Sequence, residues 1–289
     1  MTKKITCVVD NAVRHGSPFW GEHGLSFRVE TDDGCFLFDT GRSESVLWHN
    51  LGLLGGCPRQ AKALVLSHAH TDHTGALIAV LSQKPGLPIY ASPDLFRPRF
   101  AHKEDKYKPI GLPLTQEELG HLADLRLNDA PAEVLPGVWT SGEITERTEP
   151  EGRSDRHFVP TGENTPSPQD VPPGYEWQSD PYRDDMSLVM ETEEGLVLIC
   201  GCCHAGLLNT LAQVRRTFQR RTVAVLGGTH LVEADEAHLQ HVIRTLRDTY
   251  GTPNLYLNHC TGQRAYVALV NAFGDRVQPC PVGTTLIFD

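Results

Sequence analysis

The sequence predicts an α/β fold, because one construction recurs four times along the chain. Each copy has a short apolar run typical of a buried strand, a turn of small residues that carries a histidine, and a helical pattern. The four turns occupy residues 67–75, 201–206, 227–230 and 258–262. Loops beyond the carboxyl ends of the strands of such a sheet gather at one edge, where ligands bind. We therefore expect the four histidine-bearing turns to meet at one site.

The elements around the first turn are mostly strands. Two apolar runs flank an Asp-Asp-Gly turn signal at residues 32–34, which predicts a β-hairpin. A strand precedes this hairpin, a helix follows it, and a further short strand follows the first histidine turn. These elements are predicted at residues 5–9, 25–29, 35–38, 43–53 and 87–91.

The second half of the chain holds the other three units. Their strands are predicted at residues 196–200, 222–226 and 254–257, and each leads through its turn into a helix. The helices are predicted at residues 207–218, up to about residue 250, and at residues 265–273.

Between the two halves, the chain is rich in proline, glycine and charge. Residues 140–183 show no periodic pattern, and a segment of this length inside a compact domain is either a linker or a functional lid. We predict a lid inserted in a single domain over residues 1–289. The apolar side chains that would anchor it are Phe158, Tyr175, Trp177 and Tyr182.

Composition narrows the class of protein and the class of partner. The 289 residues are 39% hydrophobic and 21% charged, as in an ordinary soluble globular protein. The formal net charge of −10 argues against a nucleic-acid partner, and no apolar stretch approaches the length of a membrane span. The negative net charge does not exclude a small anionic substrate, because a bound metal can make the local electrostatic potential positive. The oligomeric state is left open.

Cysteine usage indicates the redox compartment. The eight cysteines are scattered, apart from one cluster at residues 200–203, and no pair of Cys-x-x-Cys motifs is present. The first residues also lead directly into a strand without the apolar core of a signal peptide. We expect a reduced, cytoplasmic protein.

The first histidine turn is the strongest functional signal. His68, His70, Asp72 and His73 lie within six residues, between an apolar strand and a helical run. Three imidazoles and a carboxylate crowded together would desolvate one another without structural gain, and a divalent cation removes that cost. Neutral imidazole and carboxylate suit zinc, manganese and iron. The turn predicts a metal site, with one or two Zn²⁺ ions expected first and Mn²⁺ or Fe as alternatives.

Two neighbouring residues are expected to assist this site. Asp39, in an Asp-Thr-Gly sequence, is predicted to support the first metal loop, although it could merely end the hairpin. Cys202 is a candidate soft ligand or a close neighbour of the metal.

Arg97 and Arg99 belong to a locally basic segment, which is either a solvated face or an arm that binds phosphate or carboxylate.

The motif spacing resembles the metallo-β-lactamase superfamily. The His-x-His-x-Asp-His sequence is followed by Thr-Gly, and histidines end the later strands. Within that superfamily the chain is similar to the branch named after the synthase that makes 7,8-dihydropterinylmethyl-ribofuranosylaminobenzene phosphate in methanopterin biosynthesis. The similarity to that branch lies in residues 22–26, 38–41, 66–68, 201–206, 228–231 and 259–262.

The resemblance implies a four-layer αβ/βα sandwich with metals at one sheet edge. It implies that His68 and His70 hold one metal and that Asp72 and His73 hold or orient a second. His204 and His259 match later ligand-bearing loops. Most of the superfamily has a further histidine before the middle strand and a bridging aspartate. The histidines in that interval, none of them in a strand-end turn, are His102, His121 and His157.

The expected activity is hydrolysis of a small anionic substrate, with a phosphoester first, by metal-activated water. Asp72 or a nearby histidine would accept the proton. His23 and His230 lie in branch motifs without a ligand place, so they are expected to contact substrate, with His230 also a candidate for proton transfer. The alternatives are a pterin-type transferase that releases diphosphate, an iron-dependent redox protein and a non-catalytic metal-binding protein.

Overall fold

The computed structural model describes residues 2–56, 58–104, 106–161 and 176–289. The strands in chain order are β1 Lys3–Val9, β2 Ser26–Thr31, β3 Gly34–Phe38, β4 Ala61–Val65, β5 Pro88–Ala91, β6 Phe100–Lys103, β7 Lys106–Pro109, β8 Asp124–Leu127, β9 Glu133–Leu135, β10 Val138–Thr140, β11 His157–Pro160, β12 Trp177–Ser179, β13 Leu188–Glu191, β14 Leu196–Cys200, β15 Thr222–Gly227, β16 Asn254–Leu257, β17 Val277–Pro279 and β18 Thr285–Phe288. The helices are α1 Glu44–Leu53, α2 Thr71–Thr74, α3 Leu77–Gln83, α4 Gln116–Gly120, α5 Leu207–Phe218, α6 Glu236–Asp248 and α7 Gln263–Phe273.

Two seven-stranded sheets form the centre of the molecule. Their strand orders are β18-β1-β2-β3-β4-β5-β8 and β17-β16-β15-β14-β13-β10-β9. The predicted hairpin is confirmed, since β2 and β3 pair antiparallel with Phe27 opposite Phe38. From β3 to β8 and from β14 to β17 the strands run parallel, so their carboxyl ends meet at one edge of each sheet.

The sheets pack face to face, and helices cover their outer faces. Side chains from both sheets share one buried cluster, which includes Phe27 and Phe38 from the first sheet and Met190 and Ile199 from the second. A second cluster packs α5, α6 and α7 on the outer face of the second sheet, and a third packs α1 and α3 on the first. The predicted four-layer αβ/βα sandwich is therefore confirmed.

Periodicity explains the helices on the second sheet. In α5, the buried apolar residues include Leu207, Leu211 and Val214, spaced by three or four residues, so one stripe faces the sheet. The predicted bounds of α5 match the structure. No described helix is long and apolar enough to cross a membrane, and the seven described cysteines are free.

A third, four-stranded sheet has the order β12-β11-β6-β7. It corrects the sequence interpretation, because β11 and β12 lie inside the segment that shows no periodic pattern. Aromatic contacts hold this sheet together: the Tyr107 and Trp177 rings stack 3.8 Å apart, and Phe158 meets Tyr107 edge-on at 5.6 Å. Of the four predicted anchors, Tyr175 lies outside the described residues. The role of the segment as a lid stays a prediction.

Candidate metal centre

The site lies where the parallel strands end. β4 leads into the first histidine loop, and the turns after β14, β15 and β16 carry His204, His230 and His259. Close backbone packing brings the first two loops together, because Gly201 lies directly against the Ser67 side chain and Asp39. A Cβ on Gly201 would overlap Ser67, so glycine is needed there.

The first donor group consists of His68, His70 and His204. Their donor nitrogens lie within 4.8 Å of one another, and the three residues are 1%, 5% and 3% exposed. His204 Nε2 lies 3.1 Å from His70 Nδ1, while His68 Nε2, His70 Nε2 and His204 Nδ1 are buried without a hydrogen-bond partner in the described structure. Burial lowers the pKa of all three imidazoles well below the usual value, so they are neutral.

The second donor group consists of Asp72, His73 and His259 and lies next to the first. His259 Nε2 lies 3.2 Å from His73 Nε2 and 3.3 Å from Asp72 Oδ2, and His73 Nε2 lies 3.7 Å from the same Asp72 oxygen. His23 Nε2 reaches Asp72 Oδ2 at 3.3 Å. The His23 side chain is 60% exposed, so this residue stands at the mouth of the site.

Cys202 lies between the two groups. Its Sγ is 3.2 Å from His73 Nε2 and within 4.8 Å of a donor nitrogen of His68. Cys202 also belongs to a group with His230 and Cys260, in which the His230 amide donates to Cys260 Sγ at 3.3 Å. The sequence does not mark Cys260 as a site residue, since a lone cysteine carries no spacing signal.

Asp39 contacts the first histidine loop through Ser67 and His73. Its Oδ1 accepts the Ser67 amide at 2.7 Å, and its Oδ2 accepts the Ser67 hydroxyl at 2.7 Å and lies 2.6 Å from His73 Nδ1. Burial lowers the pKa of His73, but the Asp39 and Asp72 carboxylates outweigh burial and raise it to about 9. Asp39 therefore fixes both the backbone that precedes the histidines and one imidazole ring.

His157 is a further imidazole at the site, and the sequence pattern did not predict it there. Its ring lies 4.9 Å from the His70 ring and 5.6 Å from the His204 ring, measured between centroids. Its Nδ1 is 2.8 Å from the Tyr182 hydroxyl, and the Tyr182 ring stacks on His204 at 4.6 Å. His157 begins β11 rather than ending a strand, so the strand–turn–helix pattern could not find it.

His230 lies beside the first donor group. Its ring centroid is 4.3 Å from that of His204, and its Nδ1 is buried without a described hydrogen-bond partner. The backbone of His230 is left-handed, with φ of 49°, and of Cys203 likewise, with φ of 60°. Cys203 turns away from the site and donates to Thr210 Oγ1 in α5 at 3.3 Å. The strained turns aim His204 and His230 at the same space.

The prediction that Arg99 binds substrate is wrong. Arg99 is 1% exposed, and its guanidinium lies 2.6, 3.0 and 2.8 Å from the carboxylates of Asp94, Asp180 and Asp184. Its charge is neutralised inside the protein. Arg97 lies on the same turn, where its carbonyl accepts from Arg99 at 2.9 Å, and its substrate contact stays a prediction.

Comparison with known proteins identifies the family of the chain. The metallo-β-lactamase superfamily model matches residues 20–171, which contain the first histidine loop. The chain belongs to the metallo-β-lactamase superfamily. It is 28% identical to 7,8-dihydropterin-6-methyl-4-(β-D-ribofuranosyl)-aminobenzene-5′-phosphate synthase of Methanocaldococcus jannaschii, over 99% of this chain and 96% of that protein.

Solved structures show the same fold. A metal-dependent hydrolase of the β-lactamase superfamily is 25% identical, with a TM-score of 0.79 and coverage of 98% of both chains. The metallo-β-lactamase fold protein YhfI of Bacillus subtilis is 14% identical, with a TM-score of 0.57 and coverage of 99% of this chain and 100% of that chain. The second likeness concerns the fold alone.

Proposed function

We propose that this protein is a metal-dependent hydrolase of a small anionic substrate, with a phosphoester as the first candidate. One observation carries the proposal: two adjoining donor groups, linked through Cys202, sit at the sheet edge where both parallel runs of strands end. The full-length similarity to a metal-dependent hydrolase supports the reaction class.

The donor chemistry fits divalent cations. His68, His70 and His204 are neutral, and each has a buried nitrogen without a described partner, which is the state in which imidazole binds a metal. These three would hold one cation. Asp72, His73 and His259 would hold a second, with the Cys202 thiol beside both. Imidazole with carboxylate and thiol suits zinc first, and imidazole with carboxylate also suits manganese or iron.

When bound, such a cation lowers the pKa of a coordinated water to about 7 and polarises the substrate oxygen that it touches. The chain supplies the remaining functions. His23, at the exposed mouth, contacts the incoming anion. Asp72 Oδ2, which faces His23 and His259, would accept the proton. His230 Nδ1, which is also buried without a described partner, would hold a proton for the leaving oxygen.

Elemental analysis of the native protein, together with hydrolysis of bis-p-nitrophenyl phosphate, tests the proposal. We expect one to two equivalents of zinc or manganese with turnover. His68→Ala should lose metal and activity, while His230→Ala should keep metal and lose turnover, roughly 10²–10⁴-fold for a proton-transfer group. His121→Ala is the control, because this exposed histidine follows α4 away from the site. A His68→Ala variant with full metal content and turnover would refute the site.

A second candidate is a transferase that releases diphosphate. The end-to-end similarity to a protein named as a synthase favours it. The candidates differ in product: a hydrolase consumes water, whereas a transferase joins two substrates and produces diphosphate only when both are present. Metal without turnover in either assay would favour the non-catalytic alternative, and iron without hydrolysis would favour oxygen chemistry.

A further inference from the structure

Residues 184–186 lie between the two loops that carry the first donor group. Asp184 Oδ2 accepts the Ala69 amide, which lies between His68 and His70, at 2.8 Å. Asp185 Oδ2 accepts the Ala205 amide, next to His204, at 2.9 Å. The backbone takes part as well, since the Met186 amide donates to the Ser67 carbonyl at 3.0 Å. One short segment is therefore hydrogen-bonded to both loops.

The Asp184 and Asp185 carboxylates differ in whether a cationic side chain pairs with them. Both aspartates are 1% exposed. Asp184 Oδ1 pairs with the buried Arg99 at 2.8 Å, whereas among the described residues no lysine or arginine nitrogen lies within 4 Å of Asp185. A buried carboxylate without an ion pair is costly, and a neutral residue would avoid that cost. The buried Asp185, which lacks such a pair, therefore points to a role beyond folding stability.

We propose that Asp184 and Asp185 are positioning residues that set the spacing between the His68–His70 loop and the His204 loop. The inference rests on the proposed function, because that spacing matters only if the three imidazoles hold a common cation. Donor atoms must lie within about 0.5 Å of the productive geometry, and each aspartate fixes one loop through a backbone amide adjacent to a ligand. Arg99 holds Asp184 in place, and it ties β6 to the same segment.

The test measures metal affinity of four variants rather than activity. Asp184→Ala and Asp185→Ala each remove one loop contact. Asp185→Asn is the rescue variant, since the amide oxygen can still accept from Ala205. Asp94→Ala is the matched control, because Asp94 also pairs with Arg99 but its carboxylate makes no described bond to either histidine loop. Zinc titration of metal-free protein, cobalt absorption spectra and urea unfolding of metal-free protein are recorded for each.

We expect the two alanine variants to bind zinc about 10–100-fold more weakly and to show altered cobalt spectra. Asp185→Asn and Asp94→Ala should match the native protein in both, even where Asp94→Ala lowers the unfolding free energy. Native zinc affinity and cobalt spectra in both alanine variants would overturn the inference. If one alanine variant does not fold, the other still tests it. Because the readout is affinity, absence of phosphodiester hydrolysis would count against the proposed function alone.

Discussion

Replacing Asp39 with Asn should weaken zinc binding through His73, a proposed ligand whose ring Asp39 orients. Asp39 Oδ2 lies 2.6 Å from His73 Nδ1, and its Oδ1 accepts the Ser67 amide at 2.7 Å. The carboxylate therefore keeps a proton on Nδ1 and directs Nε2 toward Asp72 and His259, where a bound cation would take the place of the second ring proton. An asparagine whose oxygen faces Ser67 presents its NH₂ to Nδ1, which moves the imidazole proton to Nε2. In the opposite amide orientation, the asparagine NH₂ would face the Ser67 backbone N–H, so two donors would meet without an acceptor.

The magnitude follows from these contacts. Loss of an oriented histidine partner costs roughly 10–100-fold in metal affinity, which corresponds to about 1.4–2.8 kcal/mol. In metal-free protein, loss of the hydrogen bonds to the buried carboxylate should lower the unfolding free energy by about 1.5–3 kcal/mol, the range for hydrogen bonds to charged groups. The two effects are separate, because the first requires metal and the second does not.

Zinc titration and urea unfolding of metal-free Asp39→Asn measure the two quantities. Asp180→Asn is the control: Asp180 is also a buried carboxylate, paired with Arg99 at 3.0 Å, but it accepts the Tyr182 amide rather than contacting a predicted ligand ring. We expect the control to lose stability and keep affinity. Native zinc affinity in Asp39→Asn would refute the tautomer argument.

Three further predictions use other parts of the structure. Gly201→Ala should displace Ser67 and lower both stability and metal content. Gly52→Ala, at an open position in α1, should be neutral or stabilise the protein by up to about 1 kcal/mol. Thermal unfolding and elemental analysis distinguish the two variants. The hydrogen bond to Glu151 raises the pKa of His238, so the pair stabilises the protein below pH 6.5 and less as pH rises through the folded pKa. His238→Gln should thus lower the melting temperature by roughly 2 °C at pH 6 and by nothing at pH 9. Chelation should lower the melting temperature of the native protein, and an unchanged value would argue against bound metal.

The sequence predicted most of the fold because local patterns carried it. The strand–turn–helix units ending at α5, α6 and α7 follow from apolar period and glycine turns, and their parallel pairing brings the turns to one edge by topology. That convergence is a consequence of the fold class, so it required no knowledge of side-chain contacts. The structure accordingly places His204 and His259 beside the first histidine loop.

The third sheet could not be predicted in this way. β11 and β12 are four and three residues long, and aromatic contacts with the distant Tyr107 hold them rather than an alternating pattern of their own. Arg99 was misassigned for a related reason. A basic residue in a basic segment indicates a surface, and only the fold shows that Asp180 and Asp184 neutralise it from more than eighty positions away.

The two donor groups differ in access, and the unpredicted segment causes the difference. His23, beside Asp72 and His259, is exposed, so solvent reaches the second group from that side. The first group is buried, with Tyr182 stacked on His204 and His157 edge-on to His70. The proposed ligands come from loops that the sheets align, whereas the groups that cover them come from a chain segment with no periodic sequence. Candidate metal ligands are therefore the part of such a site that sequence indicates most directly, and substrate choice the part that it indicates least.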